Sequence, residues 1–157
     1  MLSVRHCAAP LGAEILGVDL SAQVDAAMFA QIVELLHRHE VIFFRNQKLT
    51  AEQHIAFSRR FGELELHVRK ECCRPGYPEI FVVSNVIENG RPIGTQDAGL
   101  FWHSDLCYKR APSRGSLFYA REVPRAPDGR PAGDTLFAST TAAYDALPQA
   151  IKQTIEG

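Results

Sequence analysis

The sequence predicts an α+β fold, mainly β, and three observations carry that reading. Two helical patterns flank a continuous apolar run in the first third of the chain. From residue 79 onward the signals are those of short strands and loops. The later segments are punctuated by glycine and proline rather than by helical periodicity.

In order, residues 11–20 read as short strands turned by Gly12 and Gly17. A helix follows over 25–39, where Phe29, Ile32, Val33 and Leu36 recur at three- and four-residue spacing and make one buried stripe. Val41-Ile42-Phe43-Phe44 is apolar throughout, the pattern of a strand buried on both faces. Thr50 with Gln53 three residues later offers a capping box for a helix ending near Phe61, where Gly62 can take the left-handed terminating conformation.

Strands are then expected over 80–86, 101–108 and 116–122, with a Gly- and Pro-containing segment over 88–100. Residues 124–133 hold three prolines and two glycines, which predicts an exposed excursion between strands. There is no internal repeat or low-complexity tract.

Composition narrows the function classes. With 157 residues, 46% hydrophobic content and a formal net charge of −1, the chain can bury one core, and it has no electrostatic bias toward nucleic acid or membrane. No basic region precedes an apolar stretch at the N-terminus, and no apolar run approaches the roughly 20 residues of a membrane span. A cytoplasmic location is the default expectation. Cys7, Cys72, Cys73 and Cys107 form no Cys-X-X-Cys pair and are read as reduced thiols. Cys107 is expected to pack beside the segment described next.

Phe101-Trp102-His103-Ser104-Asp105 is the most informative stretch. On a strand, side chains at i and i+2 share a face, so His103 and Asp105 can grip one ion together. A histidine and a carboxylate joined by a later histidine make the facial triad of non-haem Fe(II) oxygenases, with three coordination positions open. Taken alone, His-X-Asp also suits a hydrogen-bonded pair on a sheet. Trp102 falls on the opposite face, where it is expected to pack in the core.

Three further segments accompany it in fixed order: Arg60-Phe61-Gly62-Glu63-Leu64 upstream, then Gly133-Asp134-Thr135-Leu136-Phe137-Ala138 and Ala142-Ala143-Tyr144-Asp145-Ala146-Leu147-Pro148 downstream. Together these resemble the taurine catabolism (TauD/TfdA-like) family of Fe(II)- and 2-oxoglutarate-dependent dioxygenases, and the resemblance runs through essentially the whole chain. It implies a double-stranded β-helix, or jelly roll, with flanking helices. It also implies a single domain over 1–157 that is incomplete at the C-terminus. The family's second metal histidine and its 2-oxoglutarate arginine are expected beyond Gly157. Strands facing that missing part would leave open edges and apolar surface.

By the same resemblance, His103 and Asp105 are the metal ligands for Fe(II), and Thr135 contacts a carboxylate of 2-oxoglutarate, although a β-branched strand residue chosen for packing would look the same. His67 stands where taurine-type members carry a substrate-contacting histidine, and it also suits an exposed loop. Asn85 and Tyr108 flank the expected pocket or satisfy backbone groups. At the family's substrate asparagine this chain has Gly99, which argues against taurine itself. His6, His37, His39 and His54 match no ligand position; His37 and His39 sit at a helix end, where a cation suits the dipole.

The activity implied is hydroxylation of a small anionic organic substrate with O2 and 2-oxoglutarate, releasing succinate and CO2. The resemblance leaves the substrate open among sulfonates, sulfate esters, aryloxyacids and other small anionic compounds, and family members are often dimers or larger. The alternative is a truncated, catalytically inactive metal-binding or interaction module of the same fold.

Overall fold

A computed structural model describes residues 2–156. The chain divides into two compact units. One takes in the residues up to Lys48 and those from Glu122 onward; the other is Leu49–Arg121.

The first unit is built on a three-stranded sheet. β1 (Ser3–His6) pairs antiparallel with β2 (Ala13–Leu16), placing Val4 opposite Ile15, and β2 pairs in parallel with β3 (Ile42–Phe43). Gly12 and Gly17 bracket β2 at φ 99° and 75°, a backbone that an L side chain resists. α1 (Ala26–His39) begins where Asp25 accepts the Met28 N–H at 2.7 Å, one of the helix donors left without an internal partner. Of its expected stripe, Ile32 is fully buried, while Phe29, Val33 and Leu36 are half-buried. Ala13, Ile15, Val18, Leu20 and Val24 complete the buried apolar set of this unit.

Glu14 is buried within the sheet, its side chain 8% exposed, and its two oxygens meet Arg5 at 3.2 Å and Arg45 at 3.7 Å. Two guanidinium partners offset the cost of removing a carboxylate from water. Gln47 stitches the segment after β2, accepting from Leu20 N–H and donating to the Val18 carbonyl, each at 2.8 Å. Toward the C-terminus, α3 (Thr140–Asp145) is capped by Ser139, whose hydroxyl also donates to Glu40 at 3.0 Å, and α4 (Gln149–Glu156) follows Pro148.

The second unit starts with α2 (Ala51–Arg59). Both halves of its expected capping box are present: Gln53 N–H donates to Thr50 Oγ1 at 3.2 Å, and Thr50 N–H donates to Gln53 Oε1 at 2.8 Å. Gly62 follows at φ 147°, positive as expected but more extended than a left-handed cap. A 3-10 turn (Lys70–Cys72) leads into β4 (Cys73–Arg74), which pairs with β5 (Tyr77–Phe81); β6 (Ile87–Glu88) pairs with β7 (Arg91–Pro92). Ala51, Phe57 and Cys72 are buried here.

Several expectations are corrected. The helices hold more residues than the strands, so the unit sheets are small and the fold is α+β without being mainly β. Val41 to Phe44 are half-buried, because β3 is an edge of its sheet and not a central strand. Among the described residues, 101–108 and 116–122 form no ladder, so Trp102 has no sheet face to sit on and is 71% exposed. Cys107 is likewise exposed. His37 and His39 lie in the last turn of α1, as expected. Burial, then the His6 ring at 4.8 Å and the charge on Arg38, hold the His39 imidazole below the ordinary value, and its Nε2 is enclosed without a hydrogen-bond partner among the described residues.

The excursion at 124–133 is an exposed hairpin-like loop closed by Arg125 against Pro131, and all four cysteines are free. Among the described residues no helix is long and apolar enough to cross a membrane. Large apolar side chains stand exposed in both units, Phe101 and Phe118 in one, Leu136 and Ile155 in the other.

Candidate metal centre

The segment that carries His103 and Asp105 is shaped by two backbone reversals. Gly99, at φ 78°, turns the chain in; a Cβ there would lie 4.0 Å from His103 Cε1. Leu106, at φ 52°, turns it out, and Lys109 N–H donates to the Leu106 carbonyl at 3.0 Å to close the turn. A branched, half-buried leucine in left-handed backbone is strained. Asp105 and Leu106 open a turn that runs to Tyr108.

Within this frame the two side chains meet. His103 Nε2 lies 3.4 Å from Asp105 Oδ1, with the side chains 56% and 57% exposed. His103 Nδ1 is 2.7 Å from the Phe101 carbonyl, which can only accept, so Nδ1 carries a proton. In the neutral imidazole Nε2 is then a lone pair facing a carboxylate oxygen, an arrangement that calls for a proton or a cation between them. Asp105 Oδ2 accepts from the Ser116 hydroxyl at 2.7 Å.

The donor set fits a first-row divalent ion. Bonds of about 2.0–2.2 Å separate neighbouring ligands by about 3 Å, close to the gap observed. The imidazole is held in the ligating tautomer by its other nitrogen, as metal-binding histidines usually are. Among the described residues no group of three His, Cys, Asp or Glu side chains could hold a metal ion.

The remaining sequence-derived residues are distributed as follows. Thr135 is exposed, outside any helix or strand, in the unit that does not contain His103. His67 is half-buried; its ring packs on Phe81 with centroids 4.0 Å apart, and its Nδ1 accepts from Arg69 N–H at 3.1 Å, which leaves Nε2–H as a donor. Tyr108 is exposed within the turn after Asp105, and Asn85 is exposed beyond β5. An ion pair between Lys109 and Glu65 ties that turn to the segment leading to His67. His54 packs near Tyr119, and burial holds its imidazole below the ordinary value.

Sequence reasoning missed the roles of Ser116 and the Phe101 carbonyl. A serine eleven residues beyond Asp105 carries no local signal, and the carbonyl is invisible in any side-chain pattern. Gly99 could have been read as a required turn, since positive φ favours glycine.

Comparison with known proteins shows what the chain as a whole is similar to. The chain is 35% identical over 150 residues to an alpha-ketoglutarate-dependent 2,4-dichlorophenoxyacetate dioxygenase of Cupriavidus pinatubonensis, covering 89% of this chain and 50% of that protein. It is 31% identical over 153 residues to an alpha-ketoglutarate-dependent sulfate ester dioxygenase of Pseudomonas putida, covering 97% and 46%. A crystal structure of AAD-2 in complex with Mn(II) and N-oxalylglycine superposes with a TM-score of 0.70 at 24% identity, covering 99% of this chain and 53% of that one, which is a likeness of fold. The chain thus spans about half the length of the curated relatives it matches. The family model matched over residues 3–157 agrees with all of this, and the chain belongs to the taurine catabolism dioxygenase TauD, TfdA family.

Proposed function

We propose that this chain carries two metal ligands, His103 and Asp105, of an Fe(II)- and 2-oxoglutarate-dependent dioxygenase. It hydroxylates a small anionic organic substrate, with one oxygen atom of O2 entering the substrate and the other entering succinate as CO2 is lost. The observation that carries this reading is the pairing of His103 Nε2 with Asp105 Oδ1 at 3.4 Å, the histidine held in its ligating tautomer. The jelly-roll completion of the fold and the role of Thr135 toward a 2-oxoglutarate carboxylate belong to the same proposal. Relatives that act on an aryloxyacetate and on sulfate esters support an anionic substrate.

Bound ferrous ion would supply open coordination positions for a 2-oxo acid and dioxygen. The protein's own part is positional. The Phe101 carbonyl keeps the Nδ1 proton of His103, so Nε2 stays a donor to the metal. Asp105 supplies a negative charge and one free oxygen. The exposed setting of both residues leaves room for ligands to approach.

An anaerobic titration of the full chain with Fe(II) and 2-oxoglutarate tests this, read by visible charge-transfer absorption of the chelate. Absorption that disappears in His103→Ala is expected. Equal absorption in that variant would refute the assignment.

A further inference from the structure

We propose that Ser116 is a positioning residue for Asp105, holding the carboxylate so that a single oxygen is offered to the metal. The inference rests on the assignment of His103 and Asp105 as ligands and extends it to a residue outside the ligand pair.

An exposed aspartate turns freely about its side-chain torsions, and either oxygen, or both, can face an ion. Here the two oxygens are made unequal. Oδ2 accepts the Ser116 hydroxyl at 2.7 Å, a short charge-assisted bond, while Oδ1 stands beside His103 Nε2. Because the carboxylate only accepts, the serine must donate its one proton to it, and the rotation of both groups is set together. An oxygen occupied in this way is withdrawn from chelation. The carboxylate then binds through one atom, which leaves one more coordination position for small ligands than a two-oxygen carboxylate would.

The placement of Ser116 is itself supported. Ser113 donates to the Gly115 carbonyl at 3.2 Å, bending the chain just before Ser116. At the other side of the loop, the reversal at Leu106 and the Lys109–Glu65 ion pair hold the turn that follows Asp105. The serine therefore approaches Asp105 from eleven residues further along the chain, beyond the turn that follows the ligand pair.

The test is Mn(II) binding to the full chain, measured by the loss of the free-ion electron paramagnetic resonance signal, for the parent, Ser116→Ala, Ser116→Thr and His103→Ala. Metal-free thermal unfolding is recorded for each. Loss of an outer hydrogen bond to a ligand weakens metal binding by about 10- to 100-fold, so Ser116→Ala is expected to fall in that range while its unfolding midpoint stays near the parent's. Ser116→Thr, which keeps the hydroxyl, is expected to stay close to parent affinity. If Ser116→Ala binds Mn(II) like the parent while His103→Ala does not, the positioning role is overturned and the ligand assignment stands. If Ser116→Ala loses affinity only together with its unfolding midpoint and Ser116→Thr restores neither, the serine merely ties the loop and the proposal is overturned. If the parent and His103→Ala do not differ, the ligand assignment falls and takes this proposal with it.

Discussion

Ile32 is the large side chain at the centre of the first unit, with 0% of its surface exposed, and replacing it by alanine tests whether that unit is held by packing. The substitution removes three carbons, worth about 0.8 kcal/mol each in transfer free energy, or about 2.4 kcal/mol together. If the neighbours cannot close in, the void adds about 24 cal/mol per Å3, bringing the total for such substitutions into a range of about 2–5 kcal/mol. Native stabilities are about 5–15 kcal/mol, so Ile32→Ala should remove a large fraction of what this chain has. Ile32→Val keeps most of the volume and should cost about 0.5–1.5 kcal/mol. Glu34→Ala, on the exposed side of the same helix, gives up an ion pair with Arg38 and should cost under about 1 kcal/mol. Urea unfolding followed by circular dichroism reads all three, with an unchanged denaturant slope as the sign that the unfolded state is the same. If Ile32→Ala costs no more than Glu34→Ala, Ile32 does not anchor α1 in the apolar core of its unit.

Other perturbations have defined outcomes. A Cβ at Gly94 would lie 2.5 Å from the Val82 carbonyl oxygen, the acceptor of the Thr95 N–H bond, so Gly94→Ala should cost about 1–3 kcal/mol by urea unfolding, and a neutral result would mean the close approach is absent. His39 has its imidazole held low by burial, His6 and Arg38, so the folded chain binds fewer protons than the unfolded one. It contributes nothing above the unfolded value of about 6.5, and stability is lost as pH falls from there through the folded value. Unfolding midpoints measured from pH 7 to 5 should therefore drop less steeply in His39→Asn than in the parent, and parallel profiles would refute the assignment.

The helices were legible because their signals are local. Asp25 and Thr50 are short polar side chains placed before apolar stripes, and each caps its helix as the spacing implies. α3 and α4 were not expected, although Ser139 caps the first and Pro148 precedes the second. Strands were less legible, since a ladder depends on partners far along the chain. β1 pairs with β2 although the first residues carry no distinctive pattern, and residues 101–108 look like a strand yet have no ladder partner. The His103–Asp105 pair was anticipated by a strand argument that the structure replaces. The two side chains lie 3.4 Å apart in a segment that forms no strand and is flanked by positive-φ residues, Gly99 and Leu106.

Leu106 sets two physical requirements of this loop against each other. Left-handed backbone costs a residue with a Cβ about 1–2 kcal/mol, and a glycine at this position would remove that penalty. The same replacement would widen the range of backbone angles open to the residue after Asp105 and loosen the aim of the carboxylate. Ease of the backbone and a fixed setting for Asp105 therefore pull position 106 in opposite directions.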